Sequence, residues 1–97
     1  MYVILTSKPG EFRTDLVAGL TALERYDYFF CGRKRAEFVI ATLEREVKIR
    51  IVEEGAAALV NEVPTKFLPR YATLEQARAE LRQLAGNGAL EATLERR

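Results

Sequence analysis

"TDLVAGLTALERYDYFFCGRKRAEFVI", residues 14 to 40, decides the fold of this chain, because its two halves obey different periods. In the first half Leu16, Val17, Leu20 and Leu23 fall at i, i+1, i+4 and i+7, the spacing of one helical face. Thr14 stands where an N-cap hydroxyl belongs, and Asp15 lies where the positive end of a helix dipole favours a carboxylate. The spacing predicts a helix over 14–25, although Gly19 inside it costs about 1 kcal/mol relative to alanine. A rival reading turns the chain at Lys8-Pro9-Gly10 and makes "EFRTDLV", residues 11 to 17, the second arm of a hairpin.

The second half alternates. Tyr26, Tyr28 and Phe30, with Ala36, Phe38 and Ile40, fall on one pleat face, while Phe29, Cys31, Val39 and Ala41 fall on the other. Strands are expected at 26–31 and 36–43, joined by a charged turn and covered on both faces. A third is expected at 46–53, where Val47, Ile49 and Ile51 alternate with Glu46, Lys48 and Arg50 and leave one face wet. Short connections between the three favour an antiparallel meander.

Outward from that stretch, "YVILT" at 2–6 is apolar on both faces and suits a central strand. Between Gly55 and Ala72 the period is lost and Pro64 and Pro69 interrupt the chain. Long structureless loops are uncommon in compact domains, so part of 58–63 is expected to form a further strand. "TLEQARAELRQLAG" at 73–86 carries a capping box in Thr73 and Gln76, an apolar stripe in Leu74, Ala77, Leu81 and Leu84, and a C-terminal glycine in Gly86. This predicts a helix over 73–85. After an Asn-Gly turn at 87–88, "ALEATLERR" fits a strand that alternates Leu90, Ala92 and Leu94 against Glu91, Thr93 and Glu95, and fits a frayed helix equally.

The expected architecture is α+β: one domain over 1–97, with an antiparallel sheet of four to five strands and helices at 73–85 and 14–25 packed on it. The 97 residues are 48% hydrophobic and 30% charged, within the range of a globular domain. A domain of this size buries only about 60–65% of its unfolded surface, which makes cover from a partner or a second copy useful. Fifteen basic against fourteen acidic residues leave a charge of +1, with the signs interspersed. Strongly electrostatic nucleic-acid or membrane binders are more biased than this. The sequence carries no leader pattern and no apolar run of about 20 residues, so a cytoplasmic protein that does not engage membranes is expected.

Catalytic options are few. The chain has no histidine, which removes Ser–His–Asp, Cys–His and most zinc arrangements, and its single cysteine builds neither a disulfide nor a cluster. The glycines at 10, 19, 32, 55, 86 and 88 form no phosphate-binding pattern. Asp27, between two tyrosines, is the one carboxylate whose neighbours suggest burial, and a strand-start carboxylate bonded to backbone or solvent explains it as well. No enzyme activity, cofactor or metal is expected. Cys31 is followed by Arg33, Lys34 and Arg35, whose charge would raise its thiolate fraction, but a strand cysteine opposite Val39 or Ala41 is more simply a buried, inert side chain.

Three functions remain. The expectation favoured by the residue types is a non-catalytic accessory or adaptor protein that docks on a larger protein or on its own copy through "VNEVPTKFLPRY", residues 60 to 71, with Phe67, Arg70 and Tyr71 as contacts. The second is a single-stranded RNA or DNA binder, with phosphates on Arg33, Lys34 and Arg35 and bases stacked on Tyr26, Tyr28 or Phe38. Its element order parallels the RNA-recognition fold in part, yet "KRAEFVIA" at 34–41 lacks the glycine and aromatic spacing of the ribonucleoprotein octamer. The third is a small-molecule pocket between sheet and helices, for which no motif stands in the chain.

Overall fold

The computed structural model describes residues 1–55, 59–86 and 91–97. Its elements are β1 (Tyr2–Ser7), β2 (Phe12–Asp15), β3 (Leu20–Phe30), β4 (Arg33–Leu43), β5 (Lys48–Glu53), β6 (Val60–Pro64), a 3-10 turn (Thr65–Phe67), α1 (Leu74–Leu84) and β7 (Ala92–Arg96). They form two antiparallel sheets, one of four strands in the order β1-β4-β3-β7 and one of three in the order β2-β5-β6. The α+β class therefore holds, but the single sheet expected from the sequence is two. No described helix is long and apolar enough to cross a membrane.

The four-stranded sheet is the middle layer. On one face Ala36, Phe38 and Ile40 of β4 are buried against Ala77 and Leu81 of α1. On the other, Val3 and Leu5 of β1, Leu20 of β3 and Ala41 of β4 are buried against Ile49 of β5, with Val47, Ile51 and Val63 packed around them. The apolar face of "EVKIRIVE" thus covers the central sheet from below. The third strand of the expected meander does not pair with β4 at all; it lies between β2 and β6 in the second sheet.

The helix expected over 14–25 is absent. Its residues form the end of β2, a turn, and the first part of a strand that begins at Leu20 rather than at 26. Among the described residues the only helical element besides α1 is the 3-10 turn. Gly19 is the local reason: it sits at φ +100°, closed to other residue types, and its carbonyl accepts from the amide of Glu44 at 2.8 Å. The rival reading fits better, since Lys8 and Phe12 bridge the turn and Thr14 donates to the Thr6 carbonyl, yet all four residues of β2 pair with β5.

β3 serves both faces through a bulge. Leu20 and Ala22 stand opposite Leu43 and Ala41, whereas Glu24, Tyr26 and Tyr28 stand opposite Ile40, Phe38 and Ala36, so Leu23 is an extra residue. Opposed residues share a face, so the bulge moves the even positions of β3 from the sheet-to-sheet core to the helix side. A second irregularity at the far end, with Phe29 opposite Lys34, makes Arg35 the extra residue. The two strands close through Cys31-Gly32, both at positive φ (53° and 75°), a two-residue turn of the kind that matches strand twist. Cys31 is therefore not a strand residue facing Val39 or Ala41: it is exposed at the turn.

α1 matches its expected bounds. Thr73 accepts from the Gln76 amide at 3.1 Å, and the Gln76 side chain reaches back to the amide of Ala72 at 3.0 Å. Gly86 follows at φ +87°. Leu84 is 52% exposed and Ala85 is buried instead, so the stripe ends one residue off its predicted line. The strand foreseen within 58–63 is β6, and the open question over 89–97 resolves to β7, which pairs with β3. The Asn-Gly turn at 87–88, Leu90 and residue 58 lie outside the described residues.

Two substitutions test these turns. A Cβ at Gly19 would lie 2.7 Å from Val47 Cγ1, so Gly19→Ala combines backbone strain with a clash and is expected to cost about 2 kcal/mol in urea denaturation. Cys31→Asn places a residue tolerant of left-handed backbone at φ 53° and is expected to add about 0.5 kcal/mol. A neutral Gly19→Ala would contradict the turn that returns the chain from the second sheet to the first.

Candidate functional site

The most conspicuous polar group inside the molecule is one that the sequence pattern hid. Glu24, 4% exposed, lies on the helix side of β3. Arg78 of α1 grips it with two nitrogens, Nε to Oε1 at 3.1 Å and Nη2 to Oε2; the Tyr26 hydroxyl donates to Oε1 at 2.5 Å, and Arg96 Nη2 stands 3.4 Å from Oε2. The hydrogen bond from Arg78 outweighs the cost of burial and, with the hydrogen bond from Tyr26 and the charges of Arg78 and Arg96, holds the carboxyl down at about 2. Burial and the adjacent Glu24 carboxylate push the Tyr26 hydroxyl up. A carboxylate so saturated stays ionised and is built to hold an arginine rather than to exchange protons near neutral pH. The helical spacing over 14–25 hides it; read as a strand, Glu24, Tyr26 and Tyr28 alternate and place a carboxylate in a row that faces the helix.

The basic turn has a different character from the one expected of it. Lys34 pairs with Glu37 at 2.8 Å and Asp27 at 3.2 Å, and Arg97 with the same two carboxylates at 3.0 and 3.2 Å. The bond to Glu37 is the main reason the Lys34 ammonium is held above its usual value. Asp27 is thus a largely buried member of an ion cluster, its Oδ1 facing two cations without an aligned hydrogen bond. Arg33 and Arg35 are exposed next in sequence to the turn that carries Cys31. The rings that would stack bases are elsewhere: Phe38 is buried and Tyr26 and Tyr28 are half-buried, all on the helix side.

Of the three residues singled out in 60–71, only Phe67 stands free. It is 70% exposed on the 3-10 turn, with Lys66 Nζ 5.3 Å from its ring centre. Arg70 is tied to Glu46, whose carboxyl this contact holds below the usual range. Tyr71 is half-buried, exchanges backbone hydrogen bonds with Tyr2 at 2.8 and 2.9 Å, and has its hydroxyl pushed up by burial. Thr65 anchors the turn: fully buried, it takes the Val47 amide on its hydroxyl at 3.0 Å and donates to Glu46 at 3.0 Å.

The strand leading into that turn has an open edge. Glu53 donates to the Leu59 carbonyl and Thr65 to the Val47 carbonyl, both at 2.8 Å, which fixes the alternation between β5 and β6. Leu59, Asn61 and Val63 point their backbone groups at β5, while Val60, Glu62 and Pro64 point theirs outward. Leu59 and Val60 are 56% and 47% exposed. Past Pro64 lies a shallow depression of about 320 Å³ between Glu46, Val47, Lys48 and Lys66.

Comparison with known proteins adds no analogy: no family model, no curated protein and no solved structure matches the chain.

Glu24→Gln is expected to lose about 2–3 kcal/mol, at or below the lower end of the cost of breaking a buried pair, because Arg78 is part-exposed and can rehydrate. The pH dependence has a defined sign. The carboxyl titrates at about 2 in the folded chain against an ordinary 4.5, so its contribution is complete above 4.5 and fades as pH falls toward 2. Urea midpoints measured across that interval should fall more steeply for the wild type than for Glu24→Gln; parallel curves would remove Glu24 from the ledger of acid stability.

Proposed function

We propose that the chain is a non-catalytic docking protein that takes an extended segment of a larger protein along the outer edge of β6, with Phe67 as the contact at its far end. The observation that carries this reading is the open, apolar edge of β6. Strand addition needs a row of unpaired backbone groups with side-chain footholds beside it, and Val60, Glu62 and Pro64 offer the first while Leu59, Val60 and Phe67 offer the second. Arg70 and Tyr71 act in this scheme from behind: Arg70 holds Glu46 at the rim of the depression and Tyr71 fixes the segment to β1.

A larger partner fits the edge better than a second copy. A two-fold self-pairing that uses the whole strand, centred on Glu62, would set that carboxylate against its own image, and like charges directly opposite destabilise a ladder. A different strand can present a basic residue opposite Glu62 and apolar residues opposite Val60 and Pro64. Arg33, Lys34 and Arg35 form a secondary patch on the opposite sheet; with Lys34 committed to Glu37 and the neighbouring rings turned toward the helix, the single-stranded nucleic-acid reading has phosphate contacts but no stacking platform.

The test uses the folded protein on a support and nuclease-treated cell extract, with any retained protein identified by mass. Its affinity is then measured for the wild type, Phe67→Ala and Glu62→Pro. The Glu62 amide points away from β5, so proline there removes an edge donor while sparing the existing ladder. Phe67→Ala is expected to weaken binding about tenfold, Glu62→Pro to abolish it, and the amides of Val60 and Glu62 to exchange more slowly in the complex. Unchanged affinity in both variants would sink the edge assignment, and loss of retention on nuclease treatment would transfer the function to the basic turn.

A further inference from the structure

We propose that the cleft between α1 and the β3–β7 end of the central sheet binds a small organic monocarboxylate with an apolar body. The cleft holds about 340 Å³ and is lined by Tyr26, Arg78, Leu81, Arg82 and Leu94. Its floor is apolar: Leu81 is 1% exposed, Leu94 is half-buried, and the Tyr26 hydroxyl is already committed to Glu24. Its rim is cationic. Arg78 is already committed, two nitrogens to Glu24 and Nη1 to Glu75 at 2.5 Å. Arg82, one helical turn further on the same face, is exposed and forms no ion pair among the described residues.

The charges select the ligand. Arg78 pairs with Glu24 and Glu75 and Arg96 with Glu24, whereas Arg82 pairs with no carboxylate among the described residues, which leaves its positive charge uncompensated beside an apolar floor. A single carboxylate balances it, whereas an inorganic dianion would overshoot and leave the floor wet. A guanidinium beside apolar walls binds an anion more strongly than one in open water, because water screens the pair less. The volume sits at the lower end of the range for ligand pockets, which suits a molecule of about ten heavy atoms or fewer. The cleft and the β6 edge share no residue, so each stands or falls alone.

The experiment titrates the ¹⁵N-labelled full chain with hexanoate and follows its amide resonances. Saturable shifts are expected at Tyr26, Leu81, Arg82 and Leu94. Hexanamide, the neutral isostere, and acetate, the anion without the chain, should each bind about tenfold more weakly or worse. Arg82→Gln, at an exposed position that leaves the fold intact, should weaken hexanoate about tenfold while leaving hexanamide unaffected. The proposal is overturned if hexanoate does not saturate at millimolar concentration, if either control binds as well, if the shifts fall elsewhere, or if Arg82→Gln binds hexanoate like the wild type.

Discussion

Everything in this fold is arranged around a strand, β4, whose second half has no wet side. Phe38, Val39, Ile40 and Ala41 of β4 are consecutive and apolar, and alternate residues of a strand face opposite ways, so β4 needs a layer on each face. The helix covers Phe38 and Ile40 and the second sheet covers Val39 and Ala41. One sheet with helices on a single face would leave Val39 and Ala41 against water. The three layers are the answer to that one run of four residues, with each large side chain so buried worth about 2 kcal/mol.

β3 must then satisfy the same two layers from the next position, and it does so with one inserted residue. Without the bulge at Leu23, Glu24 would continue the row of Leu20 and Ala22 into the dry space between the sheets, where no arginine waits. With it, Glu24 emerges on the helix side opposite Arg78. Apolar contacts between a helix and a sheet tolerate sliding, but a two-nitrogen grip on a buried carboxylate is met at only one position of α1 along β3. The pair therefore sets where the helix lies, and its strength reflects the several kcal/mol that a buried, unpaired charge would cost.

Those two devices explain what could be foreseen from the sequence and what could not. The α1 boundaries were legible because Thr73, Gln76 and Gly86 act locally, within one turn of the groups they satisfy. The alternation of β5 was legible because its wet face is genuinely wet. Residues 14–25 mislead because Leu16, Val17, Leu20 and Leu23 share helical spacing by coincidence: Leu16 and Leu23 are 37% and 42% exposed, Leu20 is buried in the core, and Val17 packs against it half-buried. A bulge shifts the strand period by one residue, and no local rule separates that from a helical repeat. The short link between β4 and β5 likewise has the length of a hairpin turn while carrying the chain across layers. Cys31 continues the alternation of β3 in the sequence but lies one residue beyond it, in a turn that Gly32 alone does not signal. Of the surface residues, the exposure of Phe67 follows from its place beyond Pro64, whereas the structural duties of Arg70 and Tyr71 depend on Glu46 and Tyr2, far away in the chain.

The edges of the two sheets show where this architecture is closed and where it is not. β1 is stopped at one end by Tyr71, which takes both outward groups of Tyr2. β2 is closed by its own turn, with Phe12 bonded to Lys8 and Thr14 to Ser7 and Thr6. β7 is guarded by Glu95 and Arg96, charges of the kind that discourage a foreign strand. β6 has one such charge, Glu62, and a proline only at its last position, with Leu59 and Val60 exposed at the other end. An apolar edge left open invites pairing with any strand that fits, and soluble proteins usually blunt it. Three edges here carry blocking features that cost the chain nothing in its core, so the same means were open to the fourth; a lysine at position 60 would have served. The edge instead keeps its apolar side chains and carries a proline only at the end nearest Phe67, which is the arrangement the proposed strand addition requires, with the register ending at Pro64.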